Sequence, residues 1–271
     1  MASTSVLVIF KLMQRGRAET RHVIMLSYAV SALSGIVIFS PPASTFITPW
    51  FLPAAVEGVA FYAVFLAMAR TAQTNGIAVA GIASKMSVVI PVLIGLLFLG
   101  EVVNTLILAG ILTGLIAIFL TAGNNVEIGH WKWPLFVFTG TGLIDSSFKL
   151  FQVFGLSEDQ FVTFVTTVFG FAFLVGLFDH LVHKDRIPHV HSLIAGLFLG
   201  LVNFGTVYFI LNALSTSSLE SSVVYALNNI GIVGISTLIA VLLFHEKLNR
   251  RGWSGLALAS ISIILIYTGS V

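Results

Sequence analysis

Long apolar stretches alternate with short polar breaks along the whole chain. The stretches cover Ala2–Met13, His22–Phe39, Pro49–Arg70, Gly76–Leu99, Val103–Ala122, Trp133–Gly155, Phe161–Val182, His189–Leu214, Ser222–Phe244 and Gly252–Ser270. Between them stand "QRGRAETR", "SPPAS", "RTAQTNG", "GEVVN", "GNNVEIGHWKW", "LSEDQ", "HKDRIP", "STSSLES" and "HEKLNRRG", which carry the turn and charge signals that punctuate elements. The runs lack the residue-by-residue alternation of barrel strands. A backbone in lipid has to satisfy its own hydrogen bonds, so each run is predicted to be a helix. The expected fold is an all-α integral membrane protein of about ten transmembrane helices. The first run is the exception, because its dozen residues rise only about 18 Å against a hydrocarbon core of roughly 30 Å. That helix is expected to be short or truncated: either it is partial or the true start lies upstream.

Composition sharpens this picture. The chain is 57% hydrophobic and 9% charged, whereas soluble domains carry about 25% charged residues. The net charge of +2 is expected to reflect loops that set topology and not nucleic-acid binding. The absence of cysteine excludes disulfides, thiolate nucleophiles and cysteine metal sites. No A-x-A-like site follows the first apolar stretch, so a cleavable signal peptide is not expected. Nearly all the lysines and arginines fall in alternate breaks: Arg15, Arg17 and Arg21; Arg70; Lys132; Lys184 and Arg186; Lys247, Arg250 and Arg251. Under the positive-inside rule these breaks are cytoplasmic. Ten spans would put both termini outside; if the first does not cross, the N-terminus lies inside.

The two halves of the chain resemble one another. Adding 145 to a residue number carries Thr71 to Thr216, Glu101 to Glu246 and Gly110 to Gly255, and aligns "IPVLIGLLFLGE" with "ISTLIAVLLFHE". Earlier, "VIFKLMQ" matches "SSFKLFQ", so that Lys11 answers to Lys149 at a slightly different offset. Residues 1–125 and 132–271 therefore read as two copies of a five-helix unit. Five is odd, so the copies have opposite orientation. The break after Glu101 holds no base while the break after Glu246 holds three, as inversion requires. Inverted repeats are typical of secondary transporters, whose site lies near the midplane between the repeats.

The run "VVIPVLIGLLFLGE" followed by "LILAGILTGLIAIFLTAG", and the run from Ile232 to Leu243 followed by "HEKLNRRGWSGLALASISIILIYTG", resemble the EamA-type ten-helix proteins of the drug/metabolite transporter superfamily. In that family the fourth and ninth helices commonly end in a glycine- or basic-flanked glutamate, and a glycine-bearing helix follows. The likeness extends from Val6 onward. It implies a carrier of small metabolites in a bacterial inner membrane, often an exporter, with no bound cofactor and with a second copy of the chain as a candidate partner. The chain departs from the pattern in its short first helix and in His245, which stands where the first copy has Gly100.

Ionisable groups inside spans are the informative residues, because an Asp, Lys or Arg at a helix centre costs about 2.5–3.5 kcal/mol to insert. Glu57 and Lys85 are predicted to differ in height by about four residues, or roughly 6 Å. They are expected to face a shared cavity and to pair, with a purely structural ion pair as the competing reading. A role in substrate recognition or proton coupling would follow from the first reading. Asp145 and Lys149 lie one turn apart and are expected to form a local pair, although Lys149, like Lys11, has the alternative of snorkelling to head groups. Tyr225, Asn228 and Asn229 cluster in the ninth span, Asn229 being the repeat equivalent of Ser84 beside Lys85. Asn203, Asn212 and Tyr208 add polar groups in the eighth span, and Tyr62 is a candidate for an aromatic pocket. Such groups either bond across helices or line a wet cavity.

Pro91 is a candidate hinge or a static kink. The motifs Gly110-xxx-Gly114 and Gly196-xxx-Gly200 permit close helix approach, within the chain or to a second copy. Glu101 and Glu246 are expected to mark helix ends. His22, His130, His180, His183, His189 and His191 sit mostly at span ends and are expected at the interface. H-E-x-x-H, G-x-S-x-G and P-loop signatures are absent, so no metal site, hydrolase elbow or ATP motor is expected. The leading reading is a secondary carrier with a small-molecule substrate; an integral membrane enzyme acting on lipid and a non-transporting scaffold are the alternatives.

Overall fold

The computed structural model describes residues 2–13, 19–40, 49–98, 105–122, 131–153, 158–183, 188–216, 228, 232, 235, 239, 241–245 and 249–270. Among them all regular structure is helical. The helices are α1 (Ala2–Met13), α2 (Thr20–Phe39), α3 (Phe51–Thr74), α4 (Ile77–Met86), α5 (Val89–Phe98), α6 (Thr105–Ala122), α7 (Lys132–Val153), α8 (Glu158–His183), α9 (Val190–Thr216) and α10 (Arg250–Ser270). Asn228, Ile232, Ile235, Ile239, Val241 and Leu242, between α9 and α10, are also helical. In α2, α3, α8, α9 and α10 there are stretches long and apolar enough to cross a membrane. The boundaries agree with the hydropathy pattern to within a few residues, and α1 is as short as that pattern predicts. Glu101 and Glu246, the expected helix-end markers, lie outside the described residues.

The fourth span departs from a single helix. It is broken at Ser87–Val88 into α4 and α5, four residues ahead of Pro91. Proline at position 91 has no N–H to give to the Ser87 carbonyl and its ring would clash there. The chain adjusts by tightening: Ile90 N–H donates to the Ser87 carbonyl at 2.9 Å, a three-residue step, and the Ser87 hydroxyl donates to the Ser84 carbonyl. The turn between α3 and α4 is equally local in origin. Asn75 and Gly76 N–H both donate to the Thr71 carbonyl, and Gly76 holds a φ of 100° that only glycine adopts without cost.

The centre of the bundle is α2, α3 and α8, flanked by α1 and α9. Phe10, Ile24, Tyr28, Phe169 and Leu199 are fully buried there. Helix α2 packs on α8 and α9, α3 packs on α8 and α7, and α7 also packs on α4 and α5. A separate pair, α6 and α10, sits against α4 through Ile82, Met86, Ala117, Ala259 and Ile263. Val37, Leu52, Phe178, Leu181, Val190 and Phe209 are exposed on the outside, an apolar surface that suits a lipid surround and not water.

Both small-residue motifs make contacts within the chain. A side chain at Gly110 would meet Ile266 and the Ser262 carbonyl of α10, and one at Gly114 would meet the Ser262 hydroxyl. Partner numbers fall as α6 numbers rise, so α6 and α10 are antiparallel. On the other side, Gly196 lies on Leu26, and Gly200 lies on Ser27 and Val30 of α2. In each case the close approach lets a serine reach across: Ser262 donates to the Gly110 carbonyl at 2.6 Å and Ser31 to the Gly200 carbonyl at 3.0 Å. Interhelical bonds of this kind and tight packing hold helices together where lipid removes the hydrophobic drive.

Gly200→Leu is expected to force α2 and α9 apart, since a Cβ there would lie 2.6 Å from the Ser27 carbonyl oxygen. Overpacking of this kind costs about 1–3 kcal/mol and should appear as a lower Tm of the detergent-solubilised protein. Leu201→Ala, on the half-exposed outer face of the same helix, should leave Tm nearly unchanged. Equal Tm values for the two variants would contradict the α2–α9 contact.

Candidate functional site

Three ionisable side chains lie along the packed helices α3, α4 and α7. Glu57 is buried near the start of α3, and its Oε2 has no hydrogen-bond partner. Facing it on α7 are Ser147 and Asp145, the polar groups that act on its charge. Lys85 is half-buried in the last turn of α4, and Asp145 is the charge that acts on it. The direct Glu57–Lys85 pairing expected from heights in the sequence therefore gives way to a different arrangement. Asp145 is the neighbour of both, because α7 packs on α3 and on α4 at once. Gly140 lets α7 close on Val64 of α3, and Gly142 lets it close on Ile90 of α5.

Helix rise places the three groups in depth. Counted at 1.5 Å per residue from the end that holds the α3–α4 turn, Lys85 lies about 12 Å in, Asp145 about 20 Å and Glu57 about 25 Å. Arg70 stacks on Trp133 with 5.3 Å between its guanidinium carbon and the ring centre, which fixes the common level of α3 and α7 at that end. Asp145 is exposed among the described residues and is not packed into a core. Thr141, one turn before it on α7, has an unpartnered buried hydroxyl, and so has the Asn203 amide nitrogen on α9. Buried polar atoms without protein partners are rare and mark places where water or a ligand binds.

The break after α4 belongs to the same site. Lys85 stands at the C-terminal end of a half-helix, where the helix dipole favours a cation. Discontinuous helices at the bilayer midplane are the common way transporters present such ends to a solute. With two carboxyl groups and one ammonium, the cluster is amphoteric: it offers acceptors to a donor group and a cation to an anionic one.

The other candidates from the sequence are distributed as follows. Ser84 is buried one residue before Lys85. Asn228 is helical and half-buried. Tyr208 lies away from the charges in an aromatic group with Phe39, Phe204 and Phe209. Tyr62 points along α3 to α8, where its hydroxyl donates to Asp179 Oδ2 at 2.8 Å. The backbone of Lys149 is in α7, but its side chain, like Tyr225 and Asn229, lies outside the described residues, and so the Asp145–Lys149 pair is not on view. Residues not singled out by sequence are Thr141 and Ser147, whose hydroxyls look ordinary in an apolar helix. Asp179 is an acid inside an apolar run and the rule that found Glu57 applies to it equally.

Comparisons with known proteins bear on the family and the fold. Residues 132–268 match the EamA-like transporter family, a branch of the drug/metabolite transporter superfamily. An uncharacterized protein of Haemophilus influenzae is 26% identical over 216 residues, 78% of this chain and 73% of its own length. A protein of known crystal structure is similar in fold across 100% of this chain and 94% of its own, with a TM-score of 0.59 and 14% identity. Apolar helices of membrane length and the family match converge: the chain is a multi-pass membrane protein and belongs to the EamA-like transporter family.

Proposed function

We propose that the protein is a secondary carrier that moves small polar metabolites by alternating access between two inverted five-helix halves, residues 1–125 and 132–271. The observation that carries the reading is the Glu57–Asp145–Lys85 cluster, drawn from both halves and set beside the α4–α5 break. Under the exchange of halves, α2 answers to α8 and α3 to α9, with the helix after α9 answering to the fourth span. The packing pairs α2·α9 and α3·α8 then map onto one another, as do α1·α9 and α3·α7. The antiparallel run of α6 and α10, which are also equivalents, supports the same reading. Arg/Lys-rich connections face the cytoplasm of a bacterial inner membrane, and export is the direction the family resemblance favours. Amino-acid, nucleobase and drug-like solutes all suit an amphoteric site.

The mechanism follows from the cluster and the break. A solute reaching the cluster exchanges its water for Asp145, Glu57 and the ammonium of Lys85. Its charges then offset part of the insertion cost of those groups, which is several kcal/mol. Binding thus stabilises whichever arrangement brings α3, α4 and α7 closest together. The α4–α5 break, where the four-residue ladder gives way to three-residue steps, is where one half can rock against the other without tearing a helix.

Reconstitution into liposomes with a metabolite panel tests the reading. Counterflow of a small solute is expected, and Lys85→Met and Asp145→Asn should each reduce it by about tenfold or more, the scale of losing one charged contact. Lipid turnover without counterflow of any solute would instead mark a membrane enzyme. Glu57→Gln keeps the shape of the side chain and removes its charge; it should alter apparent affinity while the purified protein stays folded by gel filtration. Pro91→Ala returns a backbone donor towards Ser87 and lets α4 and α5 join. It should slow transport at saturating solute by about tenfold and leave equilibrium binding within about twofold, the mark of a lost conformational step.

A further inference from the structure

The crossing of α2 and α8 is pinned at both ends by contacts of different chemistry. At one end Gly35 lies against Thr166, where an added Cβ would fall 2.5 Å from Thr166 Oγ1. At the other end two imidazoles meet: His22 Nε2 and His180 Nδ1 are 3.0 Å apart, with ring centres at 5.0 Å and planes inclined by 68°. His22 is buried, and its other nitrogen, Nδ1, lies 3.2 Å from Glu19 Oε2. The Gly35–Thr166 end has no group that titrates. The imidazole end does.

Among the described residues, four elements bring polar and charged groups to the pair. From α2 come Glu19 and Arg21; from α8 come Asp179 and His183. Arg21 Nε is 3.7 Å from Asp179 Oδ2, and His183 Nδ1 is 3.1 Å from Asp179 Oδ1. From α3 comes the Tyr62 hydroxyl on Asp179, while Arg70 on the same helix is engaged with Trp133. From α9 comes Ser192, which accepts the Glu19 N–H at 3.1 Å; His189 and His191 at the start of α9 are exposed. Among the described residues, then, the carboxylates of Glu19 and Asp179 and the guanidinium of Arg21 are the charged groups around the two imidazoles.

We infer that His22 and His180 form a one-proton site that latches α2 to α8 at this end of the crossing. The Glu19 contact guides the placement of the hydrogens. A carboxylate at Nδ1 of His22 requires a proton on that nitrogen, which leaves Nε2 as an acceptor and makes His180 Nδ1 the donor. A first proton adds to His180 Nε2, or reaches the same charge state by shifting across the 3.0 Å contact. One donor and one acceptor still face each other, now in a charge-assisted bond, and charge-assisted bonds are about twice as strong as neutral ones. The added charge lies beside the carboxylates of Glu19 and Asp179, which favour it. A second proton turns both facing nitrogens into donors and sets two positive charges side by side, so the contact opens. Protonation therefore first tightens and then releases one end of a helix crossing whose other end is fixed by packing. The link from this site to transport rests on the carrier reading; the proton site itself does not.

The test uses the full-length protein in detergent micelles, with histidine-selective nitrogen NMR and hydrogen-exchange mass spectrometry recorded from about pH 8 to about pH 4.5, the range in which imidazoles charge. His22→Gln and His180→Gln assign the two signals. The expected result is that both signals move together in two separated steps, as coupled sites do. Peptides spanning 19–30 and 175–183 should exchange most slowly between the steps, after correction for intrinsic rates. In either glutamine variant the remaining imidazole should titrate in one step, and the peptides should exchange about fivefold faster at the intermediate pH, a neutral bond having replaced a charged one. His191→Gln should reproduce the wild type. Independent single-step titration of the two imidazoles, or glutamine variants that keep the full pH dependence of exchange, overturns the proton site. Liposome flux under a pH gradient gives a separate outcome. Flux whose pH dependence survives both substitutions breaks the link to transport and leaves the carrier reading standing, whereas absence of any flux breaks the carrier reading while the titration still decides the site.

Discussion

Lipid offers a protein no hydrogen bonds, and that one constraint organises this molecule. Every backbone group has to be satisfied inside its own helix, and every charged side chain that enters a span has to be answered by another residue or by water. Where the backbone ladder is interrupted, at Ser87–Val88 ahead of Pro91, the interruption faces protein: Met86 and Val89 are buried on either side of it. Where charge enters, on Glu57, Lys85 and Asp145, three helices meet. The broken helix and the charged residues adjoin, and both need polar partners that lipid does not supply.

The packing around them is built from small residues. Gly140 and Gly142 bring α7 onto α3 and α5, Gly200 brings α9 onto α2, and Gly110 brings α6 onto α10. Close approach does two jobs at once. It gains dispersion contacts, and it brings serine hydroxyls within reach of carbonyls on the facing helix, as Ser31 and Ser262 show. The same geometry determines how deep Asp145 lies and what it sees, so the chemistry of the cluster depends on glycines that never touch a solute.

Beside this central cluster stands a second polar group at the end of the α2–α8 crossing, with Asp179 shared by Arg21, Tyr62 and His183 and with the His22–His180 contact next to it. The two are connected through α3, since Glu57 and Tyr62 are separated by little more than one turn of that helix and Tyr62 reaches Asp179. A shift of α3 on binding at the first cluster would be felt at the second. That is a physical route between a solute site and a helix latch, carried by one rigid element.

Much of the architecture was legible in the order of the residues. Run length against bilayer thickness fixed which segments are helices, and it identified the short α1; Pro91 announced the broken span; the spacing of Gly110 with Gly114 and of Gly196 with Gly200 announced close packing. These features depend on one segment and the medium around it, so a linear reading suffices. What tertiary structure alone decided is who meets whom. Sequence heights pointed Lys85 at Glu57, yet the packing of α7 against two helices makes Asp145 the common neighbour. Tyr62 looked like a pocket residue and instead binds Asp179. His22 and His180 looked like separate interface histidines and instead touch across 158 positions of chain. Hydropathy selects the solvent for each helix, but many rotations and neighbours are equally apolar from outside. The choice among them is made by side-chain volumes and a few interhelical hydrogen bonds, and neither is written in any single segment.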